Sequence, residues 1–275
     1  KTILVIDKVI KSDNDRTWCY WEKEESIFED IVRHKWETLQ FFSPEVAKIF
    51  SLKKYKYKMI QAGDFYRLIM EYAATFDNVT FKTEAILDMS EDNGQARLIT
   101  ENTEYSGSYI FNSTALFLPD MNTKNTLLQH FMGWFIETES PVFNEKIGTL
   151  MDFRLEQQHG ATFMYVLPTS STEALIEFTL FSESTLDRET YNFALKDYIS
   201  MELGIKEYRI KHKEFGVIPM SLAQFPKTIK NSERIVNIGT AGGFTKASTG
   251  YTFQFVQKHV SQIVDRLKLQ LPPIV

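Results

Sequence analysis

The spacing of apolar residues predicts a strand and a helix in the first third of the chain. The run TILVID (residues 2–7) is almost wholly apolar and ends in an acid, a pattern typical of a buried parallel strand. Between residues 62 and 76 apolar side chains recur every three or four positions, and Asp64 can cap the first turn, so a helix is predicted. The alternation of YKYKM (residues 55–59) predicts an exposed strand.

Strand patterns dominate the middle of the chain, and helical patterns return towards its end. From residue 127 onward, apolar runs separated by polar turns predict an antiparallel sheet, and they are HFMGWFIETE, IGTLMDFRLE, ATFMYVLP and ALIEFTLFS. Residues 186–203 predict a helix that is ended by Gly204. RIVNIGTAGGF predicts a buried strand that runs into a glycine-rich turn, and a long helix should then open on Ser248 or Thr249.

This order of elements predicts a mixed α/β fold. Strand and helix segments at both ends enclose a β-rich block, which is typical of a nucleotide-binding α/β domain with an inserted substrate domain. The predicted boundaries are residues 1–126 and 223–275 for the nucleotide-binding domain and 127–222 for the substrate domain. Because the chain starts with Lys1 and its first strand should follow a glycine fingerprint, we expect the sequence to be a piece of a longer protein.

Composition narrows the classes of function. A net charge of −5 and a pI of about 5.7 argue against a nucleic-acid partner, which requires a basic surface. The single Cys19 excludes an internal disulfide framework, and five scattered histidines argue against a metal site. No apolar run is long enough to span a bilayer. The aromatic content of 14%, with 22 Phe, indicates a large apolar core or a pocket for an apolar ligand.

Glu177 is unusual because residues 161–182 contain no Lys or Arg. In a strand it shares a face with alternate residues, whereas the opposite face is wholly apolar. Two interpretations are open from composition alone. The face of Glu177 looks onto solvent, where edge-strand acids are common, or it lines an apolar cavity with Phe163, Tyr165 and Leu175. In a cavity, desolvation would raise the pKa of the carboxyl group and suit it to acid or base catalysis.

Three further features are candidates for binding a nucleotide cofactor. Asp7 ends a strand, where a carboxylate can accept hydrogen bonds from a ribose. Gly239, Gly242 and Gly243 precede a predicted helix, whose first N–H groups favour anions. Both features have an ordinary alternative, a strand-end acid and a simple turn. Arg16, near the tryptophans of NDRTWCYWE, could contact a phosphate or stack on a ring, unless those tryptophans only fill the core.

Several motifs, taken together, resemble the lycopene cyclase family of flavoproteins. They follow the family's order from residue 1 to residue 255, and they are NDRTWCYWE, LQHFMGWFIETESPVFN with LMDFR, FMYVLPTSSTEALIEFTLFS, EFGVIPM and IGTAGGFTKASTGYTF. The resemblance implies a hydroxylase-type flavoprotein fold, with a Rossmann-like FAD-binding domain and an antiparallel substrate domain. It also implies that the first strand, the glycine-rich loop and the first helix of that fold precede this chain.

The resemblance also implies roles for individual residues. Glu177 stands where the family has its essential carboxylate, so we expect it to transfer the proton where the ring forms. Phe178 follows at a position where many members have a second acid, so Glu177 is expected to be the single acid of this motif. The residues expected to bind FAD are Asp7, Arg16, Gly239, Thr240, Ala241, Gly242, Gly243, Thr249 and Gly250.

The implied reaction is a redox-neutral cyclisation of lycopene or a related linear carotene through a carbocation, the work of an intramolecular lyase or isomerase. It implies reduced FAD, with NAD(P)H as electron donor. Because carotenes dissolve in bilayers, we expect a cytoplasmic protein attached peripherally to a membrane. HFMGWF (residues 130–135) is a candidate contact, and a core strand is its other interpretation. The alternatives are another FAD-dependent oxidoreductase of this fold, such as a prenyl reductase or a monooxygenase, or a carotenoid-binding protein without catalysis.

Overall fold

The computed structural model describes residues 1–122 and 124–275. The α-helices are α1 (Ala62–Ala73), α2 (Arg188–Met201) and α3 (Phe253–Lys268), and a short 3-10 turn spans Glu29–Ile31. In chain order, the strands are β1 (Ile3–Asp7), β2 (Thr17–Glu22), β3 (His34–Trp36), β4 (Thr38–Phe42), β5 (Ala47–Ser51), β6 (Lys56–Gln61), β7 (Val79–Thr83), β8 (Ile86–Asp92), β9 (Gln95–Thr100), β10 (Glu104–Gly107), β11 (Ile110–Asn112), β12 (Thr126–Glu137), β13 (Ile147–Asp152), β14 (Ala161–Pro168), β15 (Glu173–Ser182), β16 (Arg209–Ser221) and β17 (Ile235–Asn237).

The chain divides into two compact units. Unit 1 consists of Lys1–Asp13, Phe65–Asn125 and Ser221–Val275, and unit 2 consists of Asn14–Asp64 and Thr126–Met220. The segment from Asn14 to Asp64 packs with the β-rich block because its strand β4 pairs in parallel with β13 of that block. The predicted functional domains, which grouped this segment with the chain ends, stay a prediction.

Unit 1 contains two pairs of parallel strands, β1 with β7 and β11 with β17, and an antiparallel sheet of β8, β9 and β10. The parallel pairing of β1 confirms that part of the prediction, but its predicted burial is wrong. Ile3, Leu4 and Val5 are 50%, 38% and 40% exposed. The reason is that β1 has one strand neighbour, β7, among the described residues, so one pairing edge and much of both faces stay uncovered.

The helices of unit 1 differ from prediction at their ends. Helix α1 stops at Ala73, before residue 76, and Tyr72 is 66% exposed. Helix α3 begins at Phe253 with Thr252 as its N-cap, so the predicted opening on Ser248 or Thr249 is wrong. The preceding residues form a closed loop instead, in which the Lys246 amide donates to the Tyr251 carbonyl at 3.0 Å. That loop competes with helix formation because Gly250 has a left-handed φ of +71°.

Unit 2 is built on a seven-stranded sheet in the order β16-β12-β15-β14-β13-β4-β5. The neighbours from β12 to β14 are antiparallel, which confirms the predicted antiparallel block. Helix α2, capped by the Asp187 side chain, packs on one face of this sheet. The buried core on that face consists of Met132, Trp134, Ile136, Met164, Val166, Ala174, Ile176, Phe178, Leu180, Tyr191, Leu195, Tyr198, Ile199 and Ile205.

A three-stranded sheet, in the order β2-β6-β3, completes unit 2. Its central strand β6 was predicted to be exposed, and this prediction is wrong because β6 is paired on both edges and Tyr57, Lys58 and Met59 are buried. The buried Lys58 ammonium binds the carboxylates of Glu22, at 2.7 Å, and Glu29. Alternation failed as a signal because a charged side chain can be buried when its counter-charges are buried with it.

The strand β12 is part of the interior rather than a membrane-binding surface. His130 and Trp134 are fully buried and Met132 is 5% exposed, so the core interpretation of residues 130–135 replaces the membrane contact. Within residues 1–122 and 124–275, no α-helix combines the length and apolarity needed to cross a bilayer. No group of three or more metal-ligating His, Cys, Asp or Glu side chains occurs in those same residues.

Candidate active site

The strand order of unit 2 brings two glutamates to opposite sides of one glycine. Strand β12 lies between β15 and β16, and Gly133 of β12 is the register partner of Glu177 on β15. On the other side, the Glu214 side chain of β16 packs against Gly133. Residues directly opposite on antiparallel strands have their side chains on the same face. Glu177 and Glu214 therefore share the face of the sheet that lies away from helix α2.

Glycine at position 133 is what makes room for this arrangement. A Cβ atom there would lie 2.9 Å from Leu175 Cδ1, 3.0 Å from Glu214 Cγ and 3.2 Å from Glu214 Oε1. A second notch is formed by Gly216, where a Cβ atom would lie 2.3 Å from Phe131 Cζ. The two strands thus interlock, because Glu214 fills the space over Gly133 and the Phe131 ring fills the space over Gly216.

Glu177 is half-buried and its carboxyl group is held largely protonated at neutral pH. Burial raises its pKa from an ordinary 4.5 to about 8, and the charge of Glu214 adds to this effect. The Thr179 hydroxyl donates a hydrogen bond to Glu177 Oε1 at 2.8 Å, which opposes the shift without cancelling it. A carboxylic acid that keeps its proton at pH 7 can act as a general acid.

Glu214 is a second acid of the site, and sequence reasoning missed it. It is 6% exposed, and burial raises its pKa to about 7. The Thr17 hydroxyl donates to Glu214 Oε2 at 2.8 Å, which lowers the pKa, while the charge of Asp15 raises it. The expectation that Glu177 would stand alone is therefore wrong, because the acidic neighbour comes from strand β16 rather than from position 178.

The sole cysteine adjoins the two glutamates. Burial, then the charges of Glu177 and Glu214, raise the pKa of the Cys19 thiol well above its usual value, although a hydrogen bond with Tyr57 lowers it. Among the described residues, neither Glu177 nor Glu214 takes part in an ion pair. The nearest acid along β15, Glu173, is bound instead by Arg33 and Lys211 at the end of the strand.

The face that carries Glu177 is rich in aromatic side chains. Tyr165 is the register partner of Glu177 on β14, and Phe163 is the partner of Thr179. The ring centroid of Phe163 lies 5.2 Å from that of Tyr165 and 5.7 Å from that of Phe181. The neighbours predicted for Glu177 thus lie on its face of the sheet, together with an aromatic cluster that extends along it.

The glycine-rich turn of unit 1 has the features of an anion-binding loop. After β17, Gly239 has a φ of +59° and Gly243 a φ of +77°, which glycine adopts without strain. At Gly242 a Cβ atom would lie 2.6 Å from the Asn237 carbonyl oxygen, so a side chain has no space. Within the described part of the chain, the amides of Gly239, Thr240 and Ala241 have no hydrogen-bond acceptor, and N–H groups at such a turn favour anions.

The remaining candidates for cofactor binding are spread over both units. The Thr249 hydroxyl oxygen is buried and unpaired, and Gly250 follows it in the loop closed by Lys246 and Tyr251. Asp7 is exposed at the carboxyl end of β1, where its side chain accepts a hydrogen bond from the Val9 amide at 3.3 Å. Arg16 belongs to unit 2 and pairs with Asp15 at 2.9 Å. Their predicted contacts with a cofactor stay predictions.

Comparison with known proteins gives matches in sequence along almost the whole chain. The family model described as lycopene cyclase protein matches residues 2–272. Lycopene beta-cyclase of Paracoccus sp. (strain N81106 / MBIC 01143) is 32% identical over 130 residues, which are 46% of this chain and 33% of that protein. Lycopene beta-cyclase of Pantoea ananas is 30% identical over 104 residues, 38% of this chain and 27% of that protein. The chain thus spans about a third or less of the curated relatives it matches.

Solved structures share the fold at low sequence identity. A geranylgeranyl bacteriochlorophyll reductase-like protein from Thermoplasma acidophilum has a TM-score of 0.69 at 13% identity, over 98% of this chain and 73% of that one. A flavin-dependent halogenase from Xanthomonas campestris has a TM-score of 0.68 at 10% identity, over 100% of this chain and 66% of that one. The fold is therefore that of FAD-dependent hydroxylases, halogenases and reductases, which confirms the predicted fold class.

Proposed function

The chain belongs to the lycopene cyclase family, and from that premise we propose that the protein cyclises the linear end groups of lycopene or a related carotene without net redox change. The strongest support for this proposal is the environment of Glu177. Glu177, whose pKa is raised to about 8, lies on an aromatic face of the sheet, and among the described residues neither it nor the neighbouring Glu214 forms an ion pair that would fix the ionised form. A hydrocarbon substrate requires an acid in this state, because an ionised carboxylate has no proton to give.

The proposed reaction conserves atoms and electrons. The Glu177 carboxyl group gives its proton to the terminal carbon–carbon double bond, which produces a tertiary carbocation. The internal double bond then attacks the cation, a ring carbon–carbon bond forms, and the cation moves to a ring carbon. Loss of a proton from an adjacent carbon forms the ring double bond. One proton enters and one leaves, so the product is an isomer of the substrate.

The aromatic side chains around Glu177 suit this intermediate. The faces of Phe163 and Tyr165 can stabilise a cation through their negative quadrupoles, and apolar neighbours such as Leu175 exclude water that would trap it. The Thr179 hydroxyl orients the Glu177 carboxyl group by donating to Oε1. Each of these residues acts without any change of its own oxidation state, as an isomerisation requires.

We propose that FAD is the cofactor, because the residues of unit 1 fit its chemistry. The amides of Gly239, Thr240 and Ala241 would bind an anionic part of the molecule, and the buried Thr249 hydroxyl would gain the partner that it lacks. Gly242, Gly243 and Gly250 give the backbone its close turns, and Asp7 and Arg16 would bind ribose and phosphate groups. In its reduced form, obtained with NAD(P)H, bound FAD supplies negative charge that favours carbocation chemistry.

We further propose that the protein attaches peripherally to a membrane, since its substrate is dissolved in the bilayer. His130 and residues 132–135 are buried in the sheet, so we expect another surface of the full-length protein to make this contact. Flotation of the full-length protein with phospholipid vesicles tests the proposal. Co-flotation supports peripheral attachment, and recovery only in the dense fraction contradicts it.

The catalytic assignment is tested in a lycopene-accumulating host that expresses the full-length protein. The wild type should form cyclic carotene, and Glu177→Gln should lower the rate about 100-fold or more, because a positioned acid contributes that much. Glu173→Gln is the matched control, since it removes a carboxyl group from the same face of β15 outside the site. Cyclisation by Glu177→Gln at the wild-type rate would show that the assignment is wrong.

The same preparation separates the alternative functions. A prenyl reductase or monooxygenase would consume NAD(P)H in proportion to product, whereas the proposed cyclase consumes it only to reduce its flavin. A carotenoid-binding protein without catalysis would bind lycopene and return it unchanged. The mass of the product decides between cyclase and oxidoreductase, because only cyclisation leaves it equal to that of lycopene.

A further inference from the structure

We infer that Glu214 is a positioning residue that acts through Glu177: facing it across Gly133, it keeps the Glu177 carboxyl group in the acid form needed for proton donation. The inference rests on the proposed role of Glu177 and deepens it. Glu214 is given no contact with substrate in this proposal. Its contribution is electrostatic, and it comes from a strand that neither composition nor spacing connects with Glu177.

Glu177 and Glu214 lie on either side of Gly133, on one face of the sheet. Glu177 is the direct neighbour of Gly133 on one side, and Glu214 Cγ and Oε1 approach the place of the missing Gly133 side chain to 3.0 Å and 3.2 Å. Neighbouring strands lie about 4.8 Å apart, so acids on β15 and β16 flank a single intervening strand. With no side chain on Gly133, nothing from β12 stands between them to screen one charge from the other.

One of the two acids carries the charge of the pair. Two carboxyl groups close together in a buried site do not both ionise readily, so the pair tends to retain one proton. Each acid accepts one threonine hydroxyl at 2.8 Å, Glu214 from Thr17 and Glu177 from Thr179, and such a bond favours the ionised form of either. The charge of Glu214 raises the pKa of Glu177, which makes Glu177 the member that keeps the proton.

Among the described residues, no cation acts on either acid. The titratable groups on or beside this face are Cys19 from β2, Tyr165 from β14, and Glu214 and His212 from β16, and Asp15 acts on Glu214. None of them forms an ion pair with Glu177. A second negative charge in the pair therefore has no ion-pair partner there, and deprotonation of Glu177 is opposed by the charge of Glu214.

This arrangement also returns the site to its starting state. Once Glu177 has given up its proton, two carboxylates face each other across Gly133 and repel. That repulsion makes Glu177 a stronger base than an isolated glutamate, so it can recover the proton that the ring carbocation loses. Glu177 then carries out both proton transfers, the donation and the recovery, and the charge of Glu214 favours the protonated form of Glu177 before and after the reaction.

The test measures the protonation of Glu177 in the full-length protein without substrate. The infrared carbonyl band of protonated carboxyl groups is recorded across pH, and the Glu177 contribution is the part that Glu177→Gln removes. In the wild type it should disappear with a midpoint near pH 8. Glu214→Gln should move that midpoint down by about one pH unit or more, because the like charge is gone.

Thr17→Val is the second variant, and its Glu177 midpoint tests the inference if Glu214→Gln does not fold. It removes the hydrogen bond that holds Glu214 ionised, so the Glu177 midpoint should fall in the same direction by a smaller amount. An unchanged midpoint in the folded variants overturns the inference. Glu173→Gln, which removes a carboxyl group bound by Lys211 and Arg33, should leave the midpoint where it is.

Activity provides an independent readout. In Glu214→Gln the alkaline limb of the pH–rate profile should move to lower pH by the same amount as the infrared midpoint, and Glu214→Asp should restore it in part. A uniform loss of rate with an unmoved limb would indicate a merely structural role and would overturn the inference. If the wild type makes no cyclic carotene, the proposed function fails, and the substrate-free infrared midpoints still decide the electrostatic claim.

Discussion

Unit 2 contains two clusters of buried glutamates that differ in one respect. In the first cluster, Glu22 and Glu29 bind the ammonium group of Lys58, whose side chain is 2% exposed. In the second, Glu177 and Glu214 flank Gly133 and form no ion pair with any residue that the structure describes. Burial raises the pKa of Glu29 as it raises those of Glu177 and Glu214, so burial alone does not explain their different behaviour.

The presence of a counter-charge determines what each cluster can do. Burial raises the pKa of Glu29, but hydrogen bonds from Lys58 and Lys35 outweigh it and leave the pKa below its ordinary value. Burial likewise lowers the pKa of Lys58, and its bonds to Glu22 and Glu29 reverse that shift. These charges are fixed, so the cluster serves structure. The glutamates at Gly133 are free to exchange a proton near neutral pH, which is a property of catalytic groups.

The largest effect on stability is expected from removing the fixed charge. Lys58→Met removes the buried cation that Glu22 and Glu29 share and should lower the free energy of unfolding by about 3–5 kcal/mol. Lys35→Met is the matched control. Lys35 is the other ion-pair partner of Glu29, and its side chain is 45% exposed. This substitution should cost less than about 1 kcal/mol. Urea unfolding of both variants measures the difference, and equal losses would contradict the comparison.

A smaller effect is expected from filling the space between the two acids. Gly133→Ala places a methyl group against Leu175 and Glu214 and should destabilise the protein by about 1–3 kcal/mol through overpacking. It should also move the infrared midpoint of Glu177, because Glu214 must shift. Gly107→Ala is the control, since its Cβ would meet only the Tyr109 carbonyl oxygen at 3.8 Å. An unchanged midpoint in Gly133→Ala would mean that Glu214 does not need its present position.

The remaining effect is a gain in stability rather than a loss. Because the pKa of Glu177 is raised to about 8 in the folded protein, the unfolded chain loses that proton at lower pH, and stability falls as the pH rises from about 5 to 8. Glu177→Gln removes this dependence of stability on pH. Its free energy of unfolding should exceed that of the wild type by up to about 4 kcal/mol at pH 8, since each unit of raised pKa corresponds to about 1.4 kcal/mol, and the excess should shrink to about 1 kcal/mol near pH 5. Thermal unfolding at the two pH values measures this, and a loss at pH 8 would contradict it.

The two acids of the site differ in how far the sequence could reveal them. Glu177 was predictable because it stands in a long segment without basic residues, and the family resemblance pointed to the same position. Glu214 was not, since KHKEFG around it reads as an ordinary charged surface segment. Only the order of strands, with β16 beside β12, places it opposite Glu177. The available signals were Gly133 and Gly216, small residues inside strands that mark close approach.

Predictions of strands were correct where the local pattern is sufficient and wrong where burial depends on neighbouring strands. Strand patterns located β12 to β15 well because these strands are buried along most of their length and appear in the sequence as nearly continuous apolar runs between polar turns. Local alternation failed for β6, whose burial depends on partners from β2 and β3. Burial of β1 likewise depends on how many strands lie beside it. Periodicity describes a segment, and the number of its neighbours is a property of the whole sheet.

The position of Cys19 has a practical consequence. Its thiol remains protonated at neutral pH because burial and both glutamates oppose the thiolate. It is the only cysteine of this chain, so its S–H stretching band has no internal overlap in a vibrational spectrum. The frequency of that band depends on the local electric field. The chain thus contains a natural field probe beside Glu177 and Glu214, one that needs no label and reports on the charge of the pair.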